Sequence, residues 1–153
     1  VAGIGGAALP QSSDTYGNLV AALRRYGDPL VPLRVVDHRP VHFRVELAVK
    51  VAPEYETDAV LAAVEQALRD GFGFRARTFG QPVTLDEVSA LAHNVAGVTA
   101  AKVLALYHDG PGVSPSRQFR LTASLPPASP TGVPVAAELL TLADAPLGIE
   151  VMA

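Results

Sequence analysis

Few side chains in this sequence have the chemistry to react or to hold a ligand, and their spacing limits what they could do. His38 and His42 are four apart, the interval of a metal pair on a helix. Pro40 stands between them and the flanks read as strands, so the interval has no helical meaning. His93 and His108 fall at the ends of an expected helix and strand, with no carboxylate at ligand spacing. All four therefore read as surface or edge histidines, and no metal is expected. Ser12, Ser13, Ser89, Ser114, Ser116, Ser124 and Ser129 include no G-x-S-x-G elbow, and the carboxylates are scattered over expected helix surfaces. GIGG at 3 to 6 has the glycine density of a dinucleotide loop, but no strand precedes it, Ala8 replaces the third glycine and Pro10 follows. The absence of cysteine removes thiolate sites, disulfides and a thiol nucleophile together. Neither an enzyme nor a bound cofactor is expected.

The arginines leave more open. In FRARTFGQPVTLDEV, from Phe74 to Val88, Arg75 and Arg77 precede a Gly-Gln-Pro turn and a helix start. Orphan N–H groups and the helix dipole favour an anion there. The same letters also suit a tight joint between two helices. In that reading Phe79, Pro82 and Val83 set the angle, Thr84 caps the second helix, and Arg75 and Arg77 are left for solvent or a neighbouring subunit. Arg34, Arg39 and Arg44 would widen a basic patch, but Asp37 and Glu46 interleave with them. With 12 Lys+Arg against 15 Asp+Glu and a net charge of -3, no nucleic-acid partner is expected.

The elements that must position these residues follow from periodicity. Residues 1–13 are small and read as a flexible linker ending in N-cap residues. Over 14–26, Tyr16, Leu19, Val20, Leu23 and Tyr26 recur at helical spacing until Gly27, Asp28 and Pro29 stop the run, giving an N-terminal helix and joint over 14–30. Residues 31–36 read as a short strand. In 41–51, Val41, Phe43, Val45, Leu47, Val49 and Val51 alternate with mostly polar residues, the pattern of a strand covered on one side. Helices are expected over 57–70, with a Val60, Val64, Leu68 stripe, and 84–95, with Thr84 and Glu87 spaced as a capping box. A strand over 98–107 completes an α+β domain at 31–108: a mainly antiparallel sheet with both helices packed on one face. Residues 109–153 read as a proline-rich loop containing one strand candidate, QFRLTASL, followed by a hairpin of AELLTLAD and GIEVM.

No apolar run is long enough to span a bilayer and no signal peptide is evident, so neither a membrane nor export is expected. The chain starts at Val1 within a Gly/Ala-rich phrase and reads as a fragment of a longer protein or a processed chain.

A resemblance is carried by Gly27-Asp28-Pro29, an arginine-bearing strand pair ending in an alternating strand, a helix closing in Phe72 to Phe74, and Phe79-Gly80-Gln81-Pro82-Val83 before a capped helix. In that order, over 27–107, they resemble the C-terminal region of baseplate assembly (baseplate J-like) proteins of contractile-tailed phages and phage-derived contractile injection systems. The likeness is weaker before Gly27 and in the tail. It implies a structural wedge component that assembles in the cytoplasm into a tail or tail-like particle, with other baseplate subunits as partners and no catalytic residue carried over. The stripe Tyr16, Leu19, Val20, Leu23 and Tyr26, together with Arg75 and Arg77, is the expected interface, and a second copy of the chain is a further expected partner, giving a homodimer. The rival reading is a small-molecule-binding regulatory domain of ferredoxin-like type.

Overall fold

A computed structural model describes residues 1–126 and 135–152. In chain order it has α1 (Asp14–Tyr26), β1 (Arg39–Val51), α2 (Thr57–Gly71), β2 (Val83–Thr84), α3 (Leu85–His93), β3 (Val98–His108), β4 (Arg120–Leu121), β5 (Glu138–Leu142) and β6 (Gly148–Val151). Short 3-10 turns lie at Ile4–Gly6 and Phe74–Ala76.

The alternating strand β1 organises the sheet. Its odd residues Phe43, Val45, Leu47 and Val49 are all buried, whereas the even-numbered Arg44 and Glu46 lie on the outer face and are only partly covered. Ala48 is the exception on that face: its short side chain is covered between its cross-strand partners Lys102 and Glu150. β3 runs antiparallel to β1, from His108 opposite Phe43 to Val98 opposite Val51. Between Glu46 and Leu47 the register shifts by one, because Glu46 faces Ala105 while Leu47 faces Val103. This bulge lets Val103 and Leu106 both point into the core, which strict alternation would forbid.

The other edge of β1 is shared. β5 pairs with Arg39–Phe43 and β6 with Glu46–Val49, both parallel to β1. The tail strands therefore lie end to end along one edge instead of forming the expected hairpin with each other, and the sheet is mixed. Five residues between them leave the edge and return. The Leu142 N–H donates to the Phe72 carbonyl and the Ala143 N–H to the Phe43 carbonyl, which holds the departing chain down.

α2 contributes Val60, Val64 and Leu68, and α3 contributes Leu85, Val88 and Ala92, to a single cluster with the odd residues of β1. Phe43 and Phe72 meet edge to face at 5.2 Å inside it. The helices are started by side chains: the Glu56 carboxylate accepts from the Asp58 and Ala59 N–H groups, and Thr84 Oγ1 accepts from Glu87 N–H. Because both helices follow one another between β1 and β3, the element order is not the split β-α-β of the ferredoxin-like reading.

Three further expectations meet a different structure. Residues 31–36 belong to no strand. Pro32 removes a donor, and the segment's polar groups turn to the N-terminus: the Val1 amino group donates to the Val36 carbonyl and His38 N–H to the Val1 carbonyl. Residues 1–13, expected as a flexible linker, thus carry long-range bonds, with Leu9 N–H also donating to Asp37 Oδ2 at 2.9 Å. Of QFRLTASL only Arg120 and Leu121 form a strand, and they pair with β2 away from the main sheet. Leu121, Leu140 and Leu142 complete the core, so the residues after 108 are built into the domain. The part of the proline-rich loop at 127–134 lies outside the described residues.

Candidate functional site

The joint between α2 and α3 is built around a buried cation. The Arg77 side chain is only 1% exposed and its Nη1 donates to Glu87 Oε1 at 2.8 Å. Nη2 donates to the carbonyls of Gln81 at 3.1 Å and Pro82 at 2.6 Å, and the guanidinium lies 5.5 Å from the centre of the Phe72 ring. Arg77 Nε is buried without a partner among the described residues. The sequence pairs Glu87 with Thr84 as a capping box; in the fold Thr84 does its half, while the Glu87 carboxylate faces Arg77. The turn itself is closed by Thr78, whose N–H and hydroxyl both donate to Gln81 Oε1. Gly80 has φ +72, which favours glycine, and a Cβ there would fall 2.3 Å from Cγ of the exposed Leu125, whose side chain would have to move.

Arg77 is therefore a structural clamp, a correction to its expected place facing solvent or a neighbour. The physical reason is that three oxygen acceptors converge where the loop closes, and a guanidinium satisfies them with one rigid fork. It is not free to hold an anion. Arg75, on the 3-10 turn, is exposed as expected.

Three of the four histidines have partners, each a different one. His38 Nδ1 lies 3.2 Å from Asp37 Oδ1, His42 Nδ1 lies 3.1 Å from Thr141 Oγ1, and His93 Nε2 accepts from Ala101 N–H. His108 Nδ1 is buried without a partner among the described residues. Those residues contain no group of three or more His, Asp or Glu placed to hold a metal ion. The Asp37 carboxyl is tuned: burial would raise it, but the His38 ring, the N–H groups of Leu9 and His38 and the His38 charge together hold it below its ordinary value. Glu138 is buried with Arg39 and the Ser124 N–H as partners, which ties β5 to the segment after β4.

Of the three α-helices, α1 is the one whose apolar side the domain covers least. Ser13 Oγ caps it by accepting from Tyr16 N–H, yet it contains no buried residue. Tyr16, Leu19 and Val20 are half-covered, with Tyr16 Oη donating to the Val35 carbonyl, whereas Leu23 is 39% and Tyr26 81% exposed. After the Gly27 to Pro29 stop the chain adds Leu30, Val31 and Leu33, all exposed. Leu23, Gly27, Pro29, Val31, Pro32 and Leu33 line an open groove of about 520 Å³. Of the five predicted α1 residues the groove takes only Leu23, beside three residues, Val31, Pro32 and Leu33, that a strand assignment over 31–36 had sent into the sheet. The two prolines flanking Leu30 and Val31 were the signal against that strand. Arg75 and Arg77 belong to the joint and stand apart from this groove.

Residues 1–36 match the family model of the baseplate J-like central domain. The match supports a baseplate J-like protein. It covers the first 3-10 turn, α1 and the extended connection to Val36, including every residue that lines the groove. The baseplate J-like match thus reaches the segment where the sequence likeness was weaker, and of the stretch 27–107 it includes only the beginning. No curated protein matches the chain.

Proposed function

We propose that this chain is part of a baseplate wedge of a contractile tail or injection particle, and that it works through protein–protein interfaces without a catalytic step. A baseplate J-like domain points to a structural role in a phage baseplate. The observation that carries the finer reading is α1: an amphipathic helix within the matched segment that buries none of its residues in the domain that follows. Isolated helices of this length are marginal in water and gain stability by covering an apolar face. The assembly surface is therefore α1 together with Leu30 to Leu33. Other baseplate subunits are its partners, and in their absence the same face brings two copies of the chain together at high concentration. No helix of the described residues is long and apolar enough to cross a membrane.

The test is particle assembly with Leu23→Asp and Tyr26→Asp combined, two positions exposed enough to leave the domain intact. Electron microscopy should show a loss of complete particles while the purified variant keeps the melting midpoint of the native chain. Normal particle numbers would remove α1 from the assembly surface.

A further inference from the structure

Residues 1–9 and 35–38 are tied to each other and to the body of the domain. His38 N–H donates to the Val1 carbonyl at 2.8 Å, and Leu9 N–H donates to Asp37 Oδ2 at 2.9 Å although these two residues are 28 positions apart in sequence. The Asp37 carboxylate also accepts from His38 N–H through Oδ1, so one side chain joins the incoming and outgoing chains into a neck. Each chain has its own anchor in the body. A Cβ at Gly6 would fall 3.0 Å from the Phe74 ring, so the first chain rests on Phe74. The second is held by His38, whose side chain is 2% exposed and whose ring centre lies 5.9 Å from that of Phe79.

Beyond this neck the attachment ends. None of residues 10–34 is buried, and none belongs to the core cluster. Among the described residues their hydrogen bonds stay within 10–35, from Ser13 to Pro10, from Leu30 N–H to Asp28 and from Tyr16 Oη to the Val35 carbonyl. Asp14, Arg24, Arg25, Asp28 and Arg34 join no ion pair there. The end of α1 and the returning segment line one groove, so these two parts of the excursion face each other. A segment that gives up neither apolar burial nor cross-links when it turns needs only a few backbone torsions to absorb the motion. Gln11 and Arg34, both exposed, stand where the chain leaves and re-enters the neck.

We infer that residues 10–34 form an arm that swings as a unit on the neck, with the Asp37 carboxylate as the clasp that keeps the neck closed and Tyr16 as a brace that limits the swing. Within the arm, the fixed φ of Pro10, Pro29 and Pro32 stiffens the segments on either side of the helix. The arm re-aims the face of α1 while the sheet, α2 and α3 stay folded. This goes beyond the assembly reading and does not depend on it.

The chain has no cysteine, so pairs of introduced cysteines carry spin labels without background. Ala22→Cys with Ala63→Cys spans arm and body, Ala63→Cys with Ala90→Cys spans α2 and α3, and Thr15→Cys with Leu30→Cys lies within the arm; all five positions are exposed. Labelled chain is diluted with unlabelled chain to suppress distances between copies. Double electron–electron resonance should then give an arm-to-body distance distribution at least about twice as wide as the other two. Asp37→Ala and Tyr16→Phe should each widen it further and leave the α2-to-α3 distribution unchanged; Tyr16→Phe, which keeps the neck intact, decides alone if Asp37→Ala broadens both. An arm-to-body width equal to the α2-to-α3 width would overturn the swing. A within-arm width as large as the arm-to-body width would overturn the unit, and arm-to-body widths unchanged by either variant would overturn the clasp and the brace. Loss of particles in the Leu23→Asp, Tyr26→Asp variant with a narrow arm-to-body distribution would leave the assembly surface standing and remove only the swing.

Discussion

Three side chains separate packing, clamping and charge. Phe43, fully buried against Phe72, should cost about 3 to 5 kcal/mol when cut to alanine, because the ring leaves a cavity as well as losing its transfer energy. Arg44 on the opposite face pairs only with Asp109 at 3.4 Å, both side chains about 40% exposed, so Arg44→Ala should cost well under about 1 kcal/mol. Urea midpoints for the two variants check the strand faces. Arg77→Ala strands two carbonyls and the Glu87 carboxylate, and should cost about 2 to 4 kcal/mol against less than about 0.5 for Arg75→Ala. Equal midpoints for the two arginine variants would mean that the joint does not depend on the buried fork. Asp37 gives a pH dependence. Its carboxyl is held below the ordinary 3.8 in the folded state, so the unfolded chain takes up its proton first as pH falls. Its contribution is complete above 3.8 and is lost as pH drops through the lowered value. Stability measured from neutral pH down to acid should therefore fall less steeply for Asp37→Asn than for the native chain; identical slopes would remove Asp37 as a clasp on Leu9.

The elements differ in how the domain supports them. α2 and α3 each bury three apolar side chains in the shared core, whereas α1 buries none. Local opening costs little where few apolar contacts are lost, so the mid-helix amides of α1 should exchange with deuterium well before those of α2 and α3. Comparable protection in all three helices would mean that α1 is covered already and has no free face. The tail shows why element identity and element pairing are separate problems. Both apolar tail segments form strands where their composition says they should. Their common neighbour is β1, however, because its edge opposite β3 offers a continuous row of backbone partners that a two-strand hairpin in water could not match.

At the scale of the molecule, the partly exposed apolar face of α1 predicts weak self-association. Sedimentation of the isolated chain should show a concentration-dependent dimer, and Leu19→Asp with Leu23→Asp should weaken it while the rest of the fold survives. A monomer at every concentration would mean that the stripe does not pair two copies. The same face marks the boundary between what could be read from the letters and what could not. Periodicity alone specified β1, α2, α3 and β3 and the buried identity of Phe43 and Val45, because alternation at two and at 3.6 residues is a local consequence of having one wet side. The amphipathic stripe of α1 was equally legible. Only the tertiary structure decided that the Leu23 to Tyr26 end of this stripe stays exposed, that Arg77 turns inward, and that the tail strands share an edge of β1. Each of these depends on which distant groups arrive nearby: the carbonyls of Gln81 and Pro82 around a guanidinium, Val1 beside Val36, and β5 beside Arg39 to Phe43. Sequence spacing records what a segment can bury, but the neighbour that buries it, or fails to, is set by the closure of the whole chain.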